Sequence, residues 1–221
     1  VRQQSFVPAA GRHGLTALYD PIVAATMRER TFRSRLLAQV AAGAPGAVLE
    51  IGCGTGSLTV ALAQALPSAS IIGLDPDPDA LARARAKDTA ERIEWREGTA
   101  VELALADRSV DRVVASLLLH HLTDEEKLRA LHEARRVLRP AGSLHVADWG
   151  APQDPLMHAA FFALRAIDGF ERTRAHLRGE LGSLIERAGF RQPHRHDRLR
   201  TGWGTLELLS ASPAPDPPAE P

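Results

Sequence analysis

The chain lacks the features that would tie it to a membrane, a disulfide framework or a nucleic acid. Among its 221 residues there is one cysteine, Cys53, which excludes an internal disulfide and any multi-cysteine metal site. No apolar run approaches the ~20 residues needed to span a bilayer, and the opening stretch "VRQQSFVPAAGRHG" lacks the apolar core of a signal peptide. A cytoplasmic protein with no integral membrane segment is expected. The 27 basic residues balance 27 acidic ones, so no net field draws the chain to polyanions. No basic stripe with interleaved aromatics appears, so nucleic acid is not an expected partner. Lys87 and Lys127 are the only lysines; with the abundance of alanine, this reads as coding bias rather than chemistry.

What is present suffices for one sizeable core: hydrophobic residues make up 44% of the chain, and single α/β domains commonly reach this length. From Asp20 to about Ala42, Ile22, Val23, Met27, Phe32, Leu36, Leu37 and Val40 recur at helical spacing. "AVLEI" then reads as a buried strand and Ser57–Leu66 as a helix ended by Pro67. "SIIGLD", "RIEWREG", "VDRVVASLLL" and "GSLHVADW" are four further strands, separated by the helical runs "DPDALARARAKD" and Thr123–Leu138. This alternation favours a parallel sheet covered on both faces. Beyond Trp149, "PLMHAAFFALRAI" and Gly179–Ala188 are helical, and two strands are expected around a turn near Gly202. The proline-rich stretch 212–221 has nothing to bury and is expected to be a disordered tail.

The stretch "VLEIGCGTGSLTVALA" sets Gly52, Gly54 and Gly56 on alternate positions after the first strand. In an open parallel sheet, ligands sit beyond the carboxyl ends of the strands, and glycine permits close backbone approach there. A dinucleotide loop would want its third small residue at position 57, where Ser57 stands, so a pyrophosphate fit is imperfect. No Gly-Lys-Ser/Thr follows, which excludes a P-loop. Asp75 ends the second strand about twenty residues on, where an acid can accept two hydrogen bonds from a ribose diol.

The spacing E-x-G-x-G-x-G resembles the first motif of class I S-adenosylmethionine-dependent methyltransferases, and the likeness continues along the chain. "REGTAVEL" is similar to that family's third-strand loop, "VDRVVASLLLHHL" to its fourth-strand motif, and "EARRVLRPAGSLHVADWG" to its turn and fifth strand. The chain resembles in particular the ubiquinone/menaquinone methyltransferase-like (type 11) subfamily. The resemblance implies a doubly wound, mostly parallel seven-stranded sheet, in the Rossmann-like order 3-2-1-4-5-7-6 with strand 7 antiparallel. It implies S-adenosyl-L-methionine as cofactor, with S-adenosyl-L-homocysteine as product. Glu50, Gly52, Gly54, Thr55, Asp75, Pro76, Thr99, Ala100 and Ser116 are the implied cofactor residues. Residues 1–45 are expected as an N-terminal helical lid segment, Tyr19-Asp20 matching a "YD" pair of many relatives. Residues 46–211 form the expected methyltransferase domain, with a lid insertion at 151–178.

Individual residues admit competing roles. Glu50 either meets the cofactor's ammonium or orients the loop. Cys53 suits the loop by size, and no neighbouring base marks it as a nucleophile. His121 and Asp148 are the candidate general bases, Asp148 equally a residue that fixes a loop. His194 and His196 alternate on a late strand without a third ligand nearby, so no metal site is expected. Met157, Phe161, Phe162 and Phe170 either line an acceptor pocket or pack the lid onto the sheet.

The expected partner is a small-molecule acceptor offering an O, N or C nucleophile, lipophilic or aromatic, and the expected assembly a monomer or weak homodimer. Two other functions stay open: a catalytically silent S-adenosylmethionine-binding protein acting through partners, and a nucleotide-dependent oxidoreductase. An intact glycine loop and Asp75 weigh against the first of these, Ser57 and the later motifs against the second.

Overall fold

The runs of valine, isoleucine and leucine between Ala47 and Trp149 form strands buried on both faces, as parallel strands must be. The structure, a computed structural model, describes residues 27–215. In order they form α1 (Glu29–Ala41), β1 (Ala47–Ile51), α2 (Ser57–Ala65), β2 (Ser70–Asp75), α3 (Pro78–Lys87), β3 (Ile93–Glu97) and β4 (Val110–Ser116). A 3₁₀ turn at Leu119–His121 leads to α4 (Asp124–Val137) and β5 (Leu138–Trp149). Then come α5 (Pro155–Asp168), α6 (Arg174–Arg178), α7 (Leu181–Arg187), β6 (His194–Thr201) and β7 (Gly204–Ala211).

The sheet order is β3-β2-β1-β4-β5-β7-β6. Strands β1 to β5 pair in parallel, and β7 runs antiparallel to both β5 and β6. This is the Rossmann-like arrangement expected. One face carries Val48, Ile71, Val114 and Ala147 against Phe32, Leu36 and Val40 of α1, Leu58 and Leu62 of α2, and Phe161 of α5. The other carries Leu49, Ile72, Val113 and Val146 against Ala130, Leu131 and Ala134 of α4, and Leu181, Leu184 and Ile185 of α7.

Several expectations change. Tyr19-Asp20 and the start of the expected N-terminal lid lie outside the described residues. The described helix of that segment, α1, buries Phe32, Leu36 and Val40 completely in the core. In the expected lid insertion, Met157 and Phe161 are buried, Phe161 against the Trp149 ring at 6.2 Å. Phe162 and Phe170 are exposed, their rings in a tilted contact at 5.5 Å. Helical spacing separates these pairs, since adjacent residues 161 and 162 point about 100° apart around a helix. Strand β5 begins at Leu138 instead of Gly142, and Pro140 fits there because the register with β4 shifts between Val110 and Arg112.

The tail expectation also fails at its start. Ser212–Ala214 is anchored: Arg191 N donates to Ser212 O at 2.9 Å, Ala214 N to Gly189 O at 2.9 Å, and Arg135 Nη2 to Ala214 O at 3.0 Å. Backbone pairing holds what apolar content does not. A chain ending at Ala211 should melt several degrees below one ending at Pro215. Three hydrogen bonds at about 0.5–1.5 kcal/mol each, and about 2–4 °C per kcal/mol, set that scale. Equal melting temperatures would show that the anchoring contributes nothing.

Candidate cofactor and acceptor site

The carboxyl ends of β1, β2 and β4 bring together the loops that the sequence motifs single out. The three glycines after β1 all have positive φ, but they serve different ends. A Cβ on Gly56 would sit 2.5 Å from the Trp95 ring and 2.7 Å from Ala84, so this glycine lets α2 approach the neighbouring elements. A Cβ on Gly52 would strike the Leu118 side chain at 2.7 Å. Gly54, at φ +52°, would direct its Cβ into open space. Of the three, only Gly54 leaves room for something outside the protein.

Asp75, at the end of β2, spans this loop. Its Oδ2 accepts from Gly54 N at 2.7 Å and its Oδ1 from Asp77 N at 3.0 Å. Burial raises its pKa, against the pull of those two amides. Each carboxylate oxygen keeps a further lone pair for an outside donor. Pro76 follows, half-buried. Glu50 lies beneath the loop, almost wholly buried, and accepts from Thr59 Oγ1 at 2.5 Å. Burial pushes its pKa up to about 7, the Thr59 bond and the Arg33 charge pulling it back and the Asp75 charge raising it. Thr55 takes two bonds from Lys87 Nζ, through its carbonyl at 2.8 Å and its hydroxyl at 2.9 Å. Thr99, in the turn after β3, and Ser116, at the end of β4, are half-buried, and Ala100 is buried. Cys53 is buried and burial raises its thiol pKa, followed by the charges of Glu50 and Asp75; it packs, as its size suggests.

On the β4 side, Leu117 adopts φ +54°, a costly conformation for a branched side chain. That turn sets Leu118 against Gly52 and starts the 3₁₀ turn carrying His120 and His121. The capping box of Thr123 and Glu126 ends it by starting α4. His120 is buried, and its Nδ1 meets Asp148 Oδ1 at 2.8 Å. Asp148, at the end of β5, also accepts from Leu119 N and Trp149 N at 2.7 Å each. Burial opposes its ionisation, but the His120 charge and hydrogen bond, the His176 charge and the Trp149 amide hold its pKa far below the usual range.

Asp148 is therefore committed three times over and fully buried, as a residue that fixes a loop would be. It positions His120. Burial likewise opposes a charge on His120, but Asp148 and Asp168 outweigh it and raise its pKa. His121 is 37% exposed; burial and then the His120 charge push its pKa down to about 3.

Asp168, the last residue of α5, completes this cluster. Its Oδ2 lies 3.7 Å from His120 Nε2 and its Oδ1 3.9 Å from His121 Nδ1. The sequence reading missed it, since α5 brings it from 47 residues beyond His121 and no local pattern marks it. His194 and His196 lie on an exposed strand face, His196 Nε2 meeting Ser210 Oγ at 2.7 Å, as a polar face would.

Comparison with known proteins follows this geometry. A family described as "Methyltransferase domain" matches residues 48–142. The chain is 30% identical, over 83% of both lengths, to an uncharacterized methyltransferase of Synechocystis sp.. It is 28% identical to a demethylmenaquinone methyltransferase of Lactiplantibacillus plantarum, over 82% of this chain and 90% of that one. Its fold is similar to that of the S-adenosylmethionine-dependent methyltransferase SibL in its apo form. There the TM-score is 0.70 at 24% identity, over 92% of this chain and 60% of that one.

Proposed function

Because the chain belongs to the class I S-adenosylmethionine-dependent methyltransferases, we propose that the loops around Gly54 hold the cofactor and that His120, His121 and Asp168 face the acceptor. The reaction is methyl transfer from S-adenosylmethionine to a small molecule. When bound, the cofactor supplies an activated methyl on a sulfonium. One observation carries the placement: around Gly54, the loop glycine whose Cβ direction is open, stand Asp75, with lone pairs left for a diol, and Glu50, a carboxyl ready to ionise.

The chain's own task is alignment. Asp75 and the Gly54 amide set the depth of the loop, and Glu50 offers negative charge beneath a cationic ligand. Thr55, Pro76, Thr99, Ala100 and Ser116 line the same edge of the sheet. Holding two reactants in attack geometry contributes roughly 7–11 kcal/mol. Across β4, the acceptor meets the cluster ordered by Asp148. The demethylmenaquinone methyltransferase among the relatives supports an acceptor of the aromatic, oxygen-bearing kind. No described helix is long and apolar enough to cross a membrane.

Glu50 makes cofactor affinity depend on pH. A cationic ligand above it favours the carboxylate, so binding lowers its pKa from about 7 in the free protein. Affinity should then rise with pH until Glu50 is ionised in the free protein, by at most about tenfold per unit. Arg33, Thr59 and Asp75 face the same group and are retained throughout. Calorimetry across neutral pH checks this: Glu50→Gln should flatten the profile, and a flat profile in the unmodified protein would contradict the account.

The reading as an enzyme is tested by incubating the protein with methyl-labelled S-adenosylmethionine and a metabolite extract. Label moving into a small molecule is expected. Cofactor binding without any label transfer would favour a silent binding protein.

A further inference from the structure

We propose that His120 Nε2, His121 Nδ1 and Asp168 form a three-ligand site for a divalent first-row metal cation on the acceptor side. Three observations carry this. The donor atoms of the three residues all lie within 4.8 Å of one another, so that small side-chain rotations would bring them to the spacing of ligands around one ion with bonds of about 2.0–2.2 Å. Next, the Asp168 carboxylate takes no hydrogen bond from any described residue. Its two oxygens face the two imidazoles at 3.7 and 3.9 Å, too far to bond and near enough to share an ion. Finally, His120 has the support that a ligating histidine requires. Its Nδ1 is held by the buried Asp148 carboxylate at 2.8 Å, so Nε2 is the ring nitrogen turned toward Asp168.

The charge balance agrees. Asp148 and Asp168 supply two negative charges against the one positive charge of Arg172 that acts on Asp168 and His121, while the nearby Lys127 ammonium is occupied by Asp124 Oδ1 at 2.8 Å and Arg172 O at 2.6 Å. Two nitrogens and a carboxylate suit zinc and its neighbours better than magnesium, which prefers oxygen alone. Three protein ligands also leave coordination positions open. Since the cluster adjoins Leu118, which packs on Gly52 of the cofactor loop, those positions would take the acceptor through a hydroxyl oxygen. This last step rests on the methyltransferase reading; the metal site does not.

The test is calorimetric titration of the tag-free, chelator-treated chain with Zn²⁺, repeated with Co²⁺ while its visible absorption is recorded. One ion per chain is expected, with a Co²⁺ spectrum of low coordination number. His121→Ala and Asp168→Asn, neither in the core, should each weaken binding by more than the roughly 10–100-fold cost of losing an outer partner. Their melting temperatures report whether they remain folded, and S-adenosylhomocysteine should bind both as it binds the parent. A His194→Ala/His196→Ala chain should keep the ion. Absence of binding would overturn the proposal, as would binding that survives Asp168→Asn or that the His194/His196 replacements abolish. Failure of S-adenosylhomocysteine to bind the parent chain would instead overturn the methyltransferase reading and leave the Zn²⁺ result standing.

Discussion

Replacing Gly54 by valine is expected to raise the dissociation constant for S-adenosylhomocysteine by about 100-fold or more, ~2.8 kcal/mol, while the protein stays folded. The position has φ +52° and open space where a Cβ would go. A Cβ there meets nothing within 4 Å, so the main cost to folding is the strain of a left-handed backbone, about 1–2 kcal/mol. Its branched side chain would fill the volume that the cofactor needs. The same change at Gly56 would be uninformative, because collision with Trp95 and Ala84 would disturb the fold first. Calorimetry and thermal melting on Gly54→Val separate the two effects. Full affinity in a folded Gly54→Val protein would remove this loop from the site.

Asp148→Ala should produce the largest loss of stability among substitutions near the site. The carboxylate is fully buried and accepts from two backbone amides and one imidazole. Removing it leaves Leu119 N and Trp149 N unpaired and strands His120 without its counter-charge. Breaking a buried pair of this kind costs about 3–5 kcal/mol. At about 2–4 °C per kcal/mol in a chain of this size, the melting temperature should fall on the order of 10 °C. Urea unfolding gives the free energy independently. A shift within about 0.5 kcal/mol, as for an ordinary surface change, would contradict the positioning role.

The fold was legible because β1 to β5 are short apolar runs, each bounded by glycine, proline or a capping residue, and separated by helices of the right length. The meeting of the glycine loop with Asp75 was legible too, since Gly52–Gly56 and Asp75 sit at strand ends where local spacing carries the information. What escaped was whatever depends on distant chain segments meeting. His120 and His121 read as a pair of adjacent histidines; only the sheet register beside β5 gives His120 to Asp148, and only the length of α5 delivers Asp168. Asp148 reads as an acid at a strand end, equally fit to be base or brace, until three donors converge on it. Phe161 and Phe162 look alike in composition and differ by one step around a helix, which decides core against solvent. The anchored Ser212–Ala214 has no apolar signal at all, because its partners are the backbone of Gly189 and Arg191 and the Arg135 side chain.

The central claim is that the loop after β1, closed by Asp75, accepts S-adenosylmethionine and not a dinucleotide. Calorimetric titration of the whole chain with S-adenosylmethionine, S-adenosylhomocysteine and NAD decides it in one set of measurements. The account predicts one site per chain for each of the first two ligands and no heat of binding for NAD. Saturable binding of NAD, with S-adenosylmethionine and S-adenosylhomocysteine both silent, would contradict it.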